Sequence, residues 1–259
     1  MDILITGGAS GIGRSVAFTF AAEARKRGEK PPRMLIADLN REKLEETASQ
    51  LADGAEVLTE AVDLAQPEAC EQLVKRAVSE FGGLDALISN AGVGIPGALK
   101  TLTLADYERS FAVNTRPTFL LGQAALPHLA ERKGAIVATA SIAAYAPQPA
   151  LGAYTPSKAA LAALVKQMSL EWGPYGVRCN SVSPGPTLTG MTQYYADPEI
   201  RRARESAIPI RKLGTPEDIA NVIVFLARPE SGFVNGVDVA VDGGLLNTAL
   251  IGAGFQAKL

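Results

Sequence analysis

The chain has 259 residues, of which 47% are hydrophobic and 20% are charged, and its formal net charge is −2. This length allows one large α/β domain with a sizeable core, and we expect a single domain over residues 1–259. The near-neutral charge excludes the basic footprint of a nucleic-acid-binding protein. No apolar run approaches the length of a membrane span, so we expect neither nucleic acid nor membrane as a partner.

Histidine and cysteine are scarce in this chain. His128 is the single histidine, which excludes a multi-histidine metal site, and we expect no metal. Cys70 and Cys179 lie in a helical and a strand pattern, which predicts buried free thiols rather than a disulfide. Met1 and Asp2 lead directly into a predicted strand, so we expect no signal peptide and a cytoplasmic location.

A glycine-rich turn follows the first predicted strand, Ile3–Thr6, and precedes an apolar-periodic helix that runs to about Lys26. This is the context of a phosphate-binding loop, because the helix N-terminus supplies N–H donors and partial positive charge. Gly7 permits a tight turn, Gly11 permits close approach of a pyrophosphate, and Gly13 permits packing of helix on strand. The predicted cofactor-binding residues of this turn are Gly7, Ser10, Gly11, Ile12 and Gly13.

The second predicted strand, 34–37, ends at Asp38, which can accept hydrogen bonds from both hydroxyls of an adenosine ribose. A carboxylate there repels a 2′-phosphate, and no arginine stands at position 9, 10, 37, 39 or 40 to receive one. We therefore predict NAD rather than NADP as the cofactor, with Asp38 and Leu39 in contact with it. The alternative is that Asp38 caps the following helix.

Helices predicted over 41–52 and 68–81 alternate with strands predicted over 57–62 and 85–89. This alternation predicts an α/β fold with a doubly wound parallel sheet and helices on both faces. Ligands collect at the carboxyl ends of such strands. The residues that follow the third and fourth strands are therefore candidate cofactor contacts: Asp63, Leu64, Asn90, Ala91 and Gly92.

A long helix is predicted over 104–132, with an interruption near Asn114. Asparagine is unfavourable inside a helix, and Pro117 removes a hydrogen bond from the same turn. A simple kink is one explanation of this pattern.

Three residues are candidates for proton transfer. Ser141 ends a β-branched strand, and Tyr154 and Lys158 lie at the start of a second long helix. A tyrosine hydroxyl has a pKa of about 10 and is a poor base at neutral pH. Lys158 lies one helical turn after Tyr154 on the same face, and we expect its positive charge to lower the tyrosine pKa. Tyr154 can then exchange a proton with an alcohol or carbonyl oxygen, and Ser141 can donate a hydrogen bond to that oxygen.

The helix that begins near Tyr154 is apolar on every face just after Lys158, which predicts burial on both sides. We expect the sheet to cover one side and a partner subunit the other. A strand over 177–183 then leads into Pro184 and Gly185. The remaining predicted parts are a substrate loop over 186–214, a helix over 216–227, a strand over 237–241 and an apolar tail over 245–259.

In combination, these motifs resemble the short-chain dehydrogenase/reductase family from Ile3 to about Gly244. The residues that carry the resemblance are Thr-Gly-x3-Gly-x-Gly at 6–13, Asp63, Asn90-Ala91-Gly92, Asn114, Ser141, Tyr154-x3-Lys158 and Pro184-Gly185. The resemblance implies a three-layer Rossmann fold of about seven strands, hydride transfer to or from nicotinamide, and a homotetramer.

The resemblance also implies a role for each catalytic residue. Tyr154 acts as acid and base, Lys158 tunes it and holds the ribose, and Ser141 positions the substrate oxygen. Asn114 holds a water in a proton relay through the distorted helix. The implied cofactor contacts further include Pro184, Gly185, Thr187 and Thr189; Thr187 stands where relatives often carry valine or isoleucine.

We therefore predict an NAD(H)-dependent oxidoreductase that interconverts a neutral secondary alcohol and the matching ketone. Four alternatives stay open at this stage: a 3-oxoacyl thioester reductase, a non-catalytic NAD-binding regulator, an epimerase or dehydratase, and an enoyl reductase. The enoyl reductase is disfavoured because three residues, not six, separate Tyr154 from Lys158. The predicted substrate pocket is chiefly apolar, with walls from Val93, Ala143, Tyr145, Leu151, Pro186, Leu188, Met191 and Tyr195.

Overall fold

The structure is a computed structural model that describes residues 1–248. Seven strands form one parallel sheet in the order β3-β2-β1-β4-β5-β6-β7. The strands are β1 Asp2–Thr6, β2 Arg33–Asp38, β3 Glu56–Ala61, β4 Ala86–Ser89, β5 Ala135–Thr139, β6 Arg178–Pro184 and β7 Asp238–Val241. The helices are α1 Gly11–Lys26, α2 Arg41–Leu51, α3 Pro67–Phe81, α4 Leu104–Asn114, α5 Arg116–Arg132, α6 Tyr154–Trp172, α7 Pro198–Ala207 and α8 Pro216–Ala227.

The strand order reverses between β1 and β4, so the connecting helices cover both faces of the sheet. One apolar layer packs α3, α5 and α6 on the sheet, and a second packs α1 and α8 on the opposite face. The predicted doubly wound, three-layer Rossmann fold is thereby confirmed. Cys70 and Cys179 are both free and buried in the first layer, as predicted. No helix within residues 1–248 is long and apolar enough to cross a membrane.

The predicted long helix over 104–132 is two helices, and the break falls at Thr115. The φ and ψ angles of Thr115 are −123° and −55°, outside the helical region, and its hydroxyl donates to the carbonyl of Ser157 on α6. Asn114 is buried immediately before the break. The interruption therefore directs Asn114 and Thr115 to partners outside their own helix.

An ionic cluster ties together the amino ends of the strands. Arg33 donates to both carboxylate oxygens of Asp2 at 2.7 Å, and Arg132 donates to the same carboxylate at 2.5 Å. Asp85 accepts from Arg132 and from the backbone N–H of Asp2. Burial raises the pKa of Asp2, but the hydrogen bonds from the two arginines outweigh this effect and hold that pKa below its ordinary value.

The segment 186–214 leaves the sheet and returns to its starting point. The N–H of Leu188 donates to the carbonyl of Gly214, and the N–H of Gly214 donates to the carbonyl of Pro186, both at 2.9 Å. Between these ends lie a 3₁₀ segment, Gly190–Ala196, and helix α7, which has no buried residue. The two ends of the segment therefore meet just after the carboxyl end of β6.

Candidate active site

A cleft of about 440 Å³ runs along the carboxyl ends of the strands. All of the predicted site residues except Gly13 and Asn114 line it. The lining residues that the sequence predicted are Gly7, Ser10, Gly11, Ile12, Asp38, Leu39, Asp63, Leu64, Asn90, Ala91, Gly92, Ser141, Tyr154, Lys158, Pro184, Gly185, Thr187 and Thr189. The glycine turn and the candidate proton-transfer residues therefore share one space.

The turn between β1 and α1 requires glycine at two positions. Gly7 has a φ of +70°, a conformation that residues with a Cβ rarely adopt. A Cβ on Gly13 would lie 2.1 Å from the carbonyl oxygen of Gly7, so no larger residue fits there. Gly13 thus shapes the turn from behind, while the N-terminus of α1 lies at the cleft and can bind a phosphate group.

Asp38 ends β2 and accepts hydrogen bonds from the N–H groups of Ala9, at 3.2 Å, and Asn40, at 3.1 Å. The N-cap of α2 is Asn40, whose side chain accepts from the N–H of Lys43 at 2.9 Å. The alternative in which Asp38 caps the helix is therefore wrong. Its carboxylate lies instead at the cleft, beside the glycine turn.

Asn90 braces three strand ends. Its side chain donates to the carbonyl of Thr6 at 3.1 Å and accepts from the hydroxyl of Thr139 at 3.0 Å. The hydroxyl of Thr6 in turn accepts from the N–H groups of Asn90 and Ala91. The sequence Asn90-Ala91-Gly92 thus holds β1, β4 and β5 together under the cleft that it lines.

Asn114 lies behind the cleft wall. Its side chain accepts from the N–H of Val93 at 2.7 Å, and it donates to the carbonyl of Val93 and the hydroxyl of Ser157, both at 3.0 Å. A Cβ on Gly92 would lie 3.2 Å from the Asn114 side-chain oxygen and 3.3 Å from the Lys158 Nζ atom. Asn114 and Lys158 therefore approach the same point of the backbone.

Tyr154, Lys158 and Ser141 meet at the end of the cleft that faces the segment 186–214. The Lys158 Nζ atom lies 5.9 Å from the centre of the Tyr154 ring and donates to the carbonyl of Thr139 at 2.7 Å. The hydroxyl of Ser141 accepts from the N–H of Ala143 at 3.1 Å, which fixes the side chain at the start of a 3₁₀ turn.

Burial dominates the electrostatics of this group. It raises the pKa of Tyr154, and the hydrogen bond from Ser141 offsets part of that increase. Burial lowers the pKa of Lys158 to about 8. The expected lowering of the tyrosine pKa is therefore not met in the protein alone, because desolvation of the charged form outweighs the hydrogen bond with Ser141.

The predicted substrate walls are met only in part. Val93 and Met191 line the cleft, whereas Ala143, Leu151, Pro186 and Leu188 do not. The hydroxyl of Tyr145 donates to the Asp238 carboxylate on β7 at 2.7 Å, which holds that side chain away from the cleft. Tyr195 is buried in a small separate cluster with Ile208 and Leu213. These side-chain directions depend on packing that local sequence pattern does not encode.

Several residues that line the cleft were not predicted from the sequence. Arg109 and Val113 line the cleft from α4, and Gly190 and Thr192 line it from the 3₁₀ segment. The spacing of Arg109 and Val113 by four residues places both on one helical face, but no motif marks that face as functional.

The reversed strand order together with a glycine turn at the reversal defines a dinucleotide-binding protein of the Rossmann class. A family model described as enoyl-(acyl carrier protein) reductase matches residues 7–246. The chain is 36% identical to a 2-(R)-hydroxypropyl-CoM dehydrogenase of Xanthobacter autotrophicus, over 93% of this chain and 96% of that protein. A 2,5-dichloro-2,5-cyclohexadiene-1,4-diol dehydrogenase of Sphingobium indicum is 34% identical, over 93% of this chain and 94% of that protein.

A solved structure of 7α-hydroxysteroid dehydrogenase, complexed with NADH and 7-oxo glycochenodeoxycholic acid, superposes with a TM-score of 0.86. It is 30% identical, and the match covers 93% of this chain and 92% of that chain. The protein therefore belongs to the short-chain dehydrogenase/reductase family, and the predicted resemblance is confirmed.

Proposed function

We propose that the protein is an NAD(H)-dependent dehydrogenase that interconverts a neutral secondary alcohol and the matching ketone. The observation that carries this proposal is the placement of Tyr154, Ser141 and Lys158 in the same cleft as the glycine turn. The two curated relatives described above are named as dehydrogenases of hydroxylated substrates, and the structural relative carries NADH and an oxo-steroid. These names support a CH–OH group as the reacting centre.

The chain itself supplies binding, orientation and proton transfer. A nicotinamide cofactor held by the glycine turn and Lys158 would supply hydride transfer to and from the substrate carbon. Tyr154 takes the hydroxyl proton as the alcohol is oxidised and gives it back in the reverse direction. Ser141 donates a hydrogen bond to the same substrate oxygen, which fixes the oxygen beside the tyrosine.

Lys158 has two roles in this proposal. It would hold the cofactor ribose, and it would pass the proton from Tyr154 to a water held at Asn114, from which the proton leaves to solvent. Its amine is anchored by the carbonyl of Thr139, and its pKa of about 8 makes it able to gain and lose a proton close to neutral pH. Asn114, fixed by both backbone groups of Val93, keeps the end of α4 in place for this relay.

NAD is proposed over NADP because the Asp38 carboxylate stands at the cleft next to the glycine turn. Its two backbone hydrogen bonds hold it as an acceptor for ribose hydroxyls, and a 2′-phosphate at that place would face a like charge.

The description of the matching family model names an enoyl reductase, which reduces a carbon–carbon double bond. We favour alcohol chemistry because Lys158 follows Tyr154 by one helical turn, as the resemblance implies for alcohol dehydrogenases. The apolar lining at Val93 and Met191 supports a neutral substrate.

A coupled screen tests the proposal. Purified protein is assayed with NAD and with NADP against sugars, steroids, aryl carbinols and 3-hydroxyacyl thioesters, with NADH binding followed by fluorescence. We expect turnover of at least one neutral secondary alcohol, with NAD preferred. Turnover confined to 3-hydroxyacyl thioesters with NADP would favour the thioester reductase, and NADH binding without any turnover would favour the regulator.

We further propose a homotetramer that acts in the cytoplasm. Helix α6 buries Leu161 and Val165 against the sheet but leaves Ala163 and Leu170 exposed. A partner subunit would cover these apolar residues. The free thiols Cys70 and Cys179 suit a reducing compartment. Light scattering of the purified protein measures the assembly directly, and a monomer at micromolar concentration would contradict it.

A further inference from the structure

Arg109 forms an ion pair inside the candidate cofactor cleft. Its guanidinium donates to both carboxylate oxygens of Asp63, at 3.1 Å and 3.4 Å. The N–H of Ala65 donates to the same carboxylate at 2.9 Å. Three donors therefore fix the orientation of the Asp63 side chain.

The position of this pair relates it to the adenosine half of a dinucleotide. In the sheet register Asp38 lies beside Ala61, so Asp63 stands two residues beyond the neighbour of Asp38 at the same edge. Both carboxylates line the cleft, on the side away from Tyr154 that β2 and β3 form. Asp63 is thus placed to accept a hydrogen bond from the base or the ribose.

The pair would contribute little as a surface salt bridge. The two side chains keep 41% and 33% of their surface exposed. Pairs of this exposure typically contribute about 0–1 kcal/mol to stability. Its location in the cleft, rather than its strength, is therefore the feature that needs a functional explanation.

We propose that Arg109 is a cofactor-positioning residue, which holds the Asp63 carboxylate ready to receive the adenosine part of NAD(H). The inference rests on the proposed function, because it presumes that the cleft binds NAD(H). Arg109 also lines a second groove, beside residues of α4 such as Tyr107 and Phe111. Removal of its side chain would leave the Asp63 carboxylate with the N–H of Ala65 as its remaining donor.

The test is a set of binding measurements on the full chain. NADH and ADP-ribose are titrated calorimetrically into the wild type, Arg109→Gln, Asp63→Asn and the double variant. We expect Arg109→Gln to raise the Kd of both ligands by about tenfold, the effect of one charge-assisted hydrogen bond. Because Arg109 acts through Asp63, we expect the double variant to bind no more weakly than the weaker single variant.

Two further variants separate positioning from charge and from folding. Arg109→Lys keeps the charge but cannot reach both carboxylate oxygens, so we expect an intermediate Kd. Arg76→Gln is the matched control, because Arg76 pairs with Glu60 on β3, the strand that precedes Asp63, and does not line the cleft. We expect it to bind both ligands as the wild type does.

Each result decides the inference separately from the proposed function. Wild-type affinity of Arg109→Gln for ADP-ribose would overturn the inference, and so would additive effects in the double variant or equal losses in Arg76→Gln. Failure of the wild type to bind NADH at all would instead overturn the proposed function.

Discussion

The two edges of the sheet use polar side chains in opposite ways. At the amino edge, Asp2, Arg33 and Arg132 satisfy one another, and the Asp2 side chain keeps only 8% of its surface exposed. At the carboxyl edge, Ser141, Tyr154 and their neighbours line an open cleft of about 440 Å³. The amino edge thus holds the strands together, whereas the carboxyl edge keeps polar groups available for a ligand.

This difference predicts which property a substitution at each edge should change. Loss of a group at the amino edge leaves charged partners without their counter-ions and lowers the free energy of unfolding. Loss of a group at the carboxyl edge should change rate or affinity without a comparable fall in the free energy of unfolding. The following predictions test that separation, beginning with the largest effect.

Replacing Ser141 with alanine should lower kcat by roughly 10²–10³, because one oxygen-positioning donor is lost. The free energy of unfolding should stay within about 1 kcal/mol of the wild type, since the loss is confined to the hydrogen bond from the N–H of Ala143 and the one with Tyr154. Ser206→Ala on the exposed helix α7 is the control and should leave both quantities unchanged. If Ser141→Ala lowered the free energy of unfolding by as much as it raised the activation free energy, the functional difference between the two edges would be contradicted.

Replacing Asp2 with asparagine should lower the free energy of unfolding by about 3 kcal/mol, because Arg33 and Arg132 lose their shared carboxylate. The native pKa of Asp2 is below its ordinary value of 3.8, so the contribution is present above that pH and is lost progressively as the pH falls from 3.8 through the native pKa. Denaturant unfolding at pH 7 and pH 3 measures both effects.

The control for Asp2 is Glu71→Gln, which removes an exposed pair with Lys75. We expect a change of less than about 1 kcal/mol there. A wild-type kcat is expected for Asp2→Asn wherever it is folded, and a large loss of kcat would contradict the separation of the edges.

Lys158 gives the carboxyl edge a cost in stability that depends on pH. Its pKa falls to about 8 in the folded chain from 10.5, so the unfolded chain binds more protons between these values and stability from this group rises with pH. Lys158→Met removes the titration. The free energy of unfolding of Lys158→Met minus that of the wild type should be about 2 kcal/mol larger at pH 7 than at pH 10, as measured by denaturant unfolding. A constant difference would contradict the lowered pKa.

Replacing Asp38 with alanine should narrow the preference for NAD over NADP by about tenfold, because the like-charge contact with a 2′-phosphate is removed. Ratios of kcat/KM for the two cofactors measure this. Asp53→Ala makes the same change of net charge at an exposed site and should leave the ratio unchanged. A wild type that prefers NADP would contradict the role given to Asp38.

Chain order alone predicts which residues gather at the carboxyl edge of the sheet. Gly7, Asp38, Asn90 and Ser141 each follow a strand, and parallel strands bring their carboxyl ends to one edge whatever the packing. The break near Asn114 was also visible, because proline and asparagine are poor helix formers.

Local sequence patterns do not predict contacts between residues that are distant in the chain. Arg109 and Asp63 are 46 residues apart, and nothing local pairs them. Tyr145 lies close in sequence to Ser141 and Tyr154, yet its hydroxyl donates to Asp238 on β7, 93 residues away. The direction of the Tyr154 pKa shift is not predictable locally either, because it depends on burial, which the whole fold determines.

The most direct test of the account compares turnover with cofactor binding in Tyr154→Phe, using the alcohol found in the screen. Removal of the hydroxyl should lower kcat by at least 10²–10⁴, the range of general acid–base catalysis, while the Kd for NADH stays within about threefold of the wild type. Undiminished turnover in this variant would contradict the claim that Tyr154 transfers the proton.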